Sequence, residues 1–156
     1  MNNEHNCVRI FVTLIIAMCL RIAPLPESLA LLNPDWVLLV LIYWSLAIPE
    51  RVGISYAWFF GILTDVLMGR LFGQYALSYS LIIYMVLIWH RQLRQFPLPQ
   101  QSAFVFGCLL ISQLLLFWFE NLKAPAQLHG TFWLPVLSGT ACWFIVYHVM
   151  RFVRRF

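Results

Sequence analysis

Hydrophobic residues fall in six long blocks, separated by short breaks rich in polar residues, proline or glycine. The blocks cover residues 8–24, 36–48, 52–68, 71–89, 102–119 and 131–152. A helix needs about 20 residues to cross a hydrocarbon core of about 30 Å, and the last four blocks come close to that length. The first two are shorter, so they should thin the bilayer locally or use flanking residues. Because unpaired backbone groups are too costly in lipid, the pattern predicts an all-α, polytopic transmembrane helical bundle.

We predict about six spans in a single integral membrane domain, residues 1–156, with five spans and one re-entrant or interfacial segment as the alternative. Composition agrees, since 62% of residues are hydrophobic and 10% are charged, whereas soluble domains carry about 25% charged residues. The net charge of +4 is small, and the basic residues do not form a nucleic-acid patch. We therefore expect no nucleic-acid partner.

Prolines and glycines mark the breaks between the blocks. Asn33 is predicted to be the N-cap of the second helix, with Pro34 at its first position and Asp35 in its first turn, where the helix dipole favours an acid. The other breaks are predicted as a tight turn at 49–51, a glycine-rich break at 69–73, and polar loops at 97–101 and 124–130.

The placement of Lys and Arg predicts the orientation of the chain, because cytoplasmic connections carry more of them. With six spans, seven basic residues share the side of both termini: Arg9, Arg51, Arg91, Arg94, Arg151, Arg154 and Arg155. Three fall on the other side: Arg21, Arg70 and Lys123. We therefore predict that both termini are cytoplasmic, where the C-terminal arginines would also favour the anionic lipid surface.

Asp65 is the acidic residue that lies well inside a hydrophobic block. An acid within a bilayer is costly and usually faces the bundle interior with a partner, so Asp65 is a candidate functional residue. Three interpretations remain open at this point. Asp65 could serve helix packing or partner docking, could lie incidentally near the interface one turn before Gly69, or could handle a solute or a proton.

Small residues precede Asp65 at steps of four: Gly53, Ala57 and Gly61. Residues four apart share one helix face, and small side chains there allow another helix to approach closely. We predict that Gly53, Ala57, Gly61 and Asp65 form a packing or partner-docking face. The pattern leaves open whether the neighbouring helix belongs to this chain or to a partner.

The remaining reactive residue types show no spacing typical of a catalytic or metal site. The four Cys include no CxxC pair, and His90, His129 and His148 lack metal-ligand spacing. The sequence contains no nucleophile elbow and no glycine-rich phosphate loop. It therefore predicts a protein that is not an enzyme, without catalytic residues, cofactor or metal.

Two stretches resemble the MreD family of rod shape-determining proteins. The first comprises residues 33–39 (NPDWVLL), Tyr43 with Trp44, and residues 49–53 (PERVG). The second comprises residues 61–65 (GILTD), Gly73 and residues 75–77 (YAL). The resemblance also covers chain length and helix layout, and it is of the Gram-negative type.

This resemblance implies a scaffold subunit of the cell-elongation complex, the elongasome, which determines cell shape and supports peptidoglycan synthesis at the cell inner membrane. It implies MreC as the membrane partner, with RodA, a penicillin-binding transpeptidase and MreB as further members of the same machine, and membrane lipids around it. The family also resembles the substrate-binding subunits of energy-coupling-factor transporters, a fold that would permit a pocket.

Two other functions stay open at the level of the sequence. A membrane-embedded substrate-binding subunit of a small-solute transporter should show more intramembrane polar residues than this chain has. A membrane enzyme acting on lipid-linked substrates should place a second acid, a base or a metal cluster near Asp65. The sequence therefore favours the scaffold over both alternatives.

Overall fold

The computed structural model describes residues 2–22, 26–27, 33–69, 73–123 and 133–155. Over these ranges the chain forms six α-helices and no strand, and each helix overlaps one of the six hydrophobic blocks. The helices are α1 (Asn2–Ile22), α2 (Trp36–Ala47), α3 (Ile54–Met68), α4 (Gln74–Gln95), α5 (Leu98–Lys123) and α6 (Leu134–Arg155). The predicted all-α helical bundle is confirmed.

Three of the described helices are long and apolar enough to cross a membrane on their own. Their apolar stretches are Glu4–Ile22, Leu98–Leu122 and Leu134–Arg154. The prediction that the first segment is short is wrong, because α1 continues back through the polar residues before position 8 and reaches 21 residues. The helices α2 and α3 are shorter and apolar, and the exact number of membrane crossings stays a prediction.

The short helix α2 lies at the centre of the bundle. Its 12 residues span about 18 Å at 1.5 Å per residue, and ten of them, from Val37 to Leu46, are buried. It packs against α1, α4 and α6 and touches α5. Because its side chains face other helices instead of lipid, α2 can be shorter than the hydrocarbon core is thick.

The other helices surround α2 and turn apolar side chains outward. The helix α3 packs mainly on α4, and α5 packs on both α4 and α6. Large hydrophobic side chains on their outer faces are exposed, among them Trp58, Leu81, Tyr84, Trp118 and Ile145. A broad exposed apolar surface of this kind is expected where the surrounding solvent is lipid.

The breaks between helices were predicted with mixed success. The tight turn after α2 is confirmed, since the backbone N–H groups of Arg51 and Val52 both donate to the Ile48 carbonyl. The prediction of a polar loop at 97–101 is wrong, because α5 already begins at Leu98. Pro99 is tolerated in this first turn, where its missing N–H has no intrahelical partner to lose. The predicted loop at 124–130 lies outside the described residues.

The N-terminal end of α1 and the C-terminal end of α6 lie at one end of the bundle, which we call the basic end. There the Arg9 guanidinium donates to the Arg154 carbonyl at 3.3 Å, and Arg51 contacts the Cys7 sulfur at 3.0 Å. The C-terminal ends of α2 and α4 meet at the same end, where Arg94 bonds to the last carbonyls of α2. We call the other end, with the end of α1 and the junction between α3 and α4, the opposite end.

Candidate functional site

Asp65 is buried at the junction between α3 and α4, where it caps the first turn of α4. Its Oδ1 accepts a hydrogen bond from the Tyr75 N–H at 2.9 Å. Its Oδ2 accepts from the Gly73 N–H at 3.1 Å and from the Ala76 N–H at 3.4 Å. The first N–H groups of a helix have no intrahelical acceptor and carry partial positive charge. An acid supplied by the preceding helix therefore satisfies three donors within the chain.

Gly61 lies one turn before Asp65 and lets α3 touch the backbone of α4. A Cβ placed on Gly61 would lie 2.4 Å from the Ala76 Cα and 2.7 Å from the Ala76 nitrogen. Contacts this short with backbone atoms cannot be relieved by a side-chain rotation. Glycine at position 61 is therefore what allows the Asp65 carboxylate to reach the start of α4.

The other two members of the predicted small-residue face differ from each other. Ala57 is buried on the same side of α3. Gly53 lies before the helix as its N-cap, and no described atom lies within 4 Å of the Cβ it would carry. The structure therefore places Gly61 and Asp65 against α4 of the same chain, while docking of a partner on this face stays a prediction.

Two glycines shape the connection that brings α4 back along α3. Gly69 follows α3 with φ +67°, and Gly73 precedes α4 with φ +97°. Side chains with a Cβ are strained in this left-handed region, whereas glycine is not. The predicted break at 69–73 is confirmed, and its two end residues have the backbone conformation that glycine accommodates.

A second polar cluster lies beside this junction and joins α1, α2 and α4. The Arg21 guanidinium donates to the Tyr75 hydroxyl at 2.9 Å and to the Pro34 carbonyl at 3.4 Å. The Tyr79 hydroxyl lies 2.7 Å from both carboxylate oxygens of Asp35. The rings of Tyr75 and Tyr79 are in edge contact, with centroids 5.6 Å apart. The tyrosines of α4 thereby connect an arginine of α1 to an acid at the start of α2.

The start of α2 differs from the prediction by two residues. Asp35 is the N-cap, and its Oδ1 accepts from the Leu38 N–H at 3.4 Å. Asn33 is occupied elsewhere, because its Nδ2 donates to the Arg21 carbonyl at 3.2 Å and its Oδ1 accepts from the Trp36 indole at 2.9 Å. The prediction of Asn33 as N-cap is therefore wrong. Pro34 precedes the cap instead of taking the first helical position.

Tyr75 unites the two clusters into what we call the opposite-end network: Arg21, Asn33, Asp35, Asp65, Tyr75 and Tyr79. Its backbone N–H donates to Asp65 while its hydroxyl accepts from Arg21. Both carboxylates of the network accept hydrogen bonds from groups of the chain itself. Within the part of the chain that the structure describes, no group of three potential metal ligands occurs. The arrangement ties four helices together.

Comparison with known proteins shows the family to which this helical bundle belongs. The sequence model of the rod shape-determining protein MreD matches residues 2–153. The chain belongs to the MreD family. Its apolar helices and this membership make it a multi-pass membrane protein. The match also covers every residue of the opposite-end network, so the network lies within the family domain.

Comparison with an individual protein of the family gives the same result. The chain is 34% identical over 141 residues to the rod shape-determining protein MreD of Haemophilus influenzae, covering 90% of this chain and 87% of that protein. No solved structure matches. The fold similarity to transporter substrate-binding subunits that the family resemblance implies thus stays a prediction.

Sequence reasoning missed three members of the network, Arg21, Tyr75 and Tyr79. Orientation alone does not explain Arg21, because an arginine predicted on the side with fewer basic residues lacks a topological reason to be there. Tyr75 and Tyr79 lie four residues apart in α4, so their hydroxyls share one helix face. A buried hydroxyl needs a partner, and that pair was the available signal.

Proposed function

We propose that this protein is a non-catalytic scaffold subunit of the complex that elongates the cell wall of rod-shaped bacteria, located in the cell inner membrane. The observation that carries the proposal is membership of a family named for determining rod shape, matched over residues 2–153. In this role the chain supports peptidoglycan synthesis by holding other subunits in place and carries out no chemistry itself.

The contacts that hold Asp65 and Asp35 support a non-catalytic role. A general acid or base must reach a substrate proton within hydrogen-bond distance. Both oxygens of Asp65 already accept backbone N–H groups from the start of α4, and Asp35 is held by Tyr79 and the first turn of α2. Releasing either acid for chemistry would leave buried donors unpaired, at a cost of about 1–3 kcal/mol each.

MreC is the proposed direct partner, as the family resemblance implies, with RodA, a penicillin-binding transpeptidase and MreB reached through the same complex. The face of α3 that carries Gly61 contacts α4, so a partner helix could use it only by displacing α4. We therefore propose that MreC docks on surfaces other than this internal seam.

Both termini are proposed to lie in the cytoplasm. Support comes from the basic end, where Arg9, Arg51, Arg94 and Arg154 meet beside the two termini. Tags fused to each terminus should both report a cytoplasmic location. A periplasmic C-terminus would contradict the proposed orientation and reduce the number of crossings to an odd one.

The scaffold proposal is tested by depletion and copurification in a rod-shaped host. Depleting the protein should give round cells, and the tagged protein extracted in mild detergent should retain MreC. Glu50→Gln, a change at an exposed turn residue, is the control and should restore rods and retain MreC. Normal rods after clean deletion, in a host without a second copy, would contradict the proposal. Recovery of an energising ATPase instead of MreC would favour the transporter alternative.

A further inference from the structure

A pocket of about 440 Å³ opens at the basic end, between four helices. Its lining residues are Tyr43, Leu46 and Ala47 of α2, Arg94 of α4, Gln101 of α5, and Tyr147, Arg151 and Arg154 of α6. None of the residues discussed as the opposite-end network contributes to it. The pocket is therefore separate from the site described above.

The lining carries three arginines, and none of its described residues is acidic. Arg94 is fixed in place, because its guanidinium donates to the Leu46 carbonyl and, at 2.6 Å, to the Ala47 carbonyl at the end of α2. Arg151 and Arg154 are exposed on the last turns of α6. Planar guanidinium groups are the preferred partners of phosphate oxygens, since they offer paired N–H donors.

Gln101 is a buried lining residue with a free acceptor. It is 7% exposed, and its Nε2 donates to the Leu93 carbonyl at 2.8 Å. That bond fixes the amide orientation, because a carbonyl oxygen requires a donor. Its Oε1 then has no hydrogen-bond partner among the described residues. A buried acceptor left unpaired is costly, so this oxygen indicates a ligand that carries a hydroxyl or another donor.

The pocket lining extends along α6 over a distance comparable to the thickness of the headgroup layer of a membrane. Arg154 and Tyr147 are seven residues apart on α6, which corresponds to about 10 Å along the helix axis. The Tyr147 ring meets the Tyr43 ring edge-on, with centroids 5.8 Å apart. The exposed Arg151 and Arg154 lie at the opening and the buried Tyr43 lies deeper, with Arg154 in a side-chain hydrogen bond to Tyr43. Cations and amphipathic rings side by side suit a phospholipid headgroup better than a fully hydrated ion.

We propose that this pocket binds a phosphate group that is carried together with a hydroxyl donor, the chemistry of an anionic glycerophospholipid headgroup. The phosphate contacts Arg151 and Arg154 at the rim. The hydroxyl donates to the Gln101 Oε1. The proposal does not rest on the scaffold function, because it concerns only the residues of this pocket.

The test is a lipid titration of the purified full chain in detergent, read by native mass spectrometry. Phosphatidylglycerol should bind about tenfold more tightly than phosphatidylcholine, because phosphatidylcholine has the same phosphate but lacks the hydroxyl and carries a trimethylammonium cation that the arginines repel. Arg151→Gln should remove most of this preference. Arg91→Gln is the matched control, because Arg91 is exposed near the same end and does not line the pocket. Both arginine variants should keep a thermal midpoint close to that of the wild type.

Two further ligands test where the phosphate comes from and whether the hydroxyl contributes to binding. Soluble glycerol 3-phosphate that displaced phosphatidylglycerol at millimolar concentration would support the phosphate site and identify a soluble ligand. Phosphatidylmethanol has the same charge without a hydroxyl, and Gln101→Leu should abolish the preference for phosphatidylglycerol over it. Equal binding of phosphatidylglycerol and phosphatidylcholine, or equal losses in Arg151→Gln and Arg91→Gln, would overturn the proposal.

Discussion

At the opposite end of the bundle, charged side chains are paired inside the protein, whereas at the basic end they surround an open pocket. Asp65 and Asp35 each accept hydrogen bonds from another helix or from the first turn of one. By contrast, Arg151 and Arg154 are exposed beside a pocket whose buried Gln101 oxygen has no described partner. The opposite end therefore uses its acids in contacts between helices, whereas the basic end, although Arg94 and Arg9 also bond between helices there, keeps exposed arginines available to bind. Mutations at the two ends should separate loss of folding from loss of binding.

The largest effect is expected for Gly61→Leu. The new side chain would begin 2.4 Å from the Ala76 Cα, so α4 must move and Asp65 must lose its backbone donors. We expect a loss of about 3 kcal/mol or more, at the upper end of overpacking costs, and little protein in the membrane. The measurement is membrane abundance together with the size-exclusion profile.

Gly107→Leu is the matched control for this change. Gly107 lies within α5, and no described atom lies within 4 Å of the Cβ it would carry. It should accumulate normally. If Gly61→Leu also accumulated normally and still retained MreC, the junction between α3 and α4 would not be the structural seam described here.

The next effect concerns Asp65. Asp65→Leu removes the acceptor of three N–H groups, two of them in buried bonds, and each buried loss costs about 1–3 kcal/mol. Asp65→Asn should be milder, because the amide keeps one accepting oxygen but turns a donor toward the remaining N–H groups. Thermal midpoints in detergent should therefore fall in the order wild type, Asn, Leu. Equal losses for Asn and Leu would show that the charge itself is required, which would favour solute or proton handling.

A smaller effect is expected for Tyr79→Phe. The change removes the hydroxyl that donates to Asp35 and leaves a half-buried carboxylate with one partner fewer, at a cost of about 1 kcal/mol. Tyr84→Phe in the same helix is the control, because Tyr84 is 52% exposed, and it should change the thermal midpoint very little. Equal midpoints for the two variants would remove Tyr79 from the network.

The smallest effect on stability is expected at the basic end. Arg151→Gln changes an exposed side chain, so the free energy of unfolding should shift by about 0.5 kcal/mol or less. The same midpoint measurement checks this value. A loss comparable to that of Tyr79→Phe would mean that the basic end also stabilises the fold, and the contrast between the ends would disappear.

Much of the fold could be predicted from the sequence, because lipid makes the pattern simple. Helix number and approximate position follow from hydrophobic blocks and from the cost of unpaired backbone in a bilayer. Helix ends were less predictable. Asn33 has the residue type of an N-cap, but its side chain bonds to Arg21 and Trp36 instead. Arg21 is distant in the sequence, and the bond to Trp36 depends on the shape of the turn before α2.

The candidate site was predictable only in part for a related reason. The spacing of Gly61 and Asp65 indicates one helix face, but it cannot identify the helix that meets that face. The contact with Ala76 depends on how the chain reverses through Gly69 and Gly73. Similarly, the basic pocket combines Arg94, Gln101 and α6, whose approach results from tertiary packing and has no local signature.

The enclosed position of α2 bears on how the chain enters the membrane during synthesis. A helix of 12 residues, about 18 Å long, is too short to partition stably by itself into a layer about 30 Å thick. The tight turn at 49–51 connects it directly to α3. We therefore expect α2 and α3 to leave the translocation machinery as a hairpin, and α4 to complete their insertion once Asp65 meets its first turn.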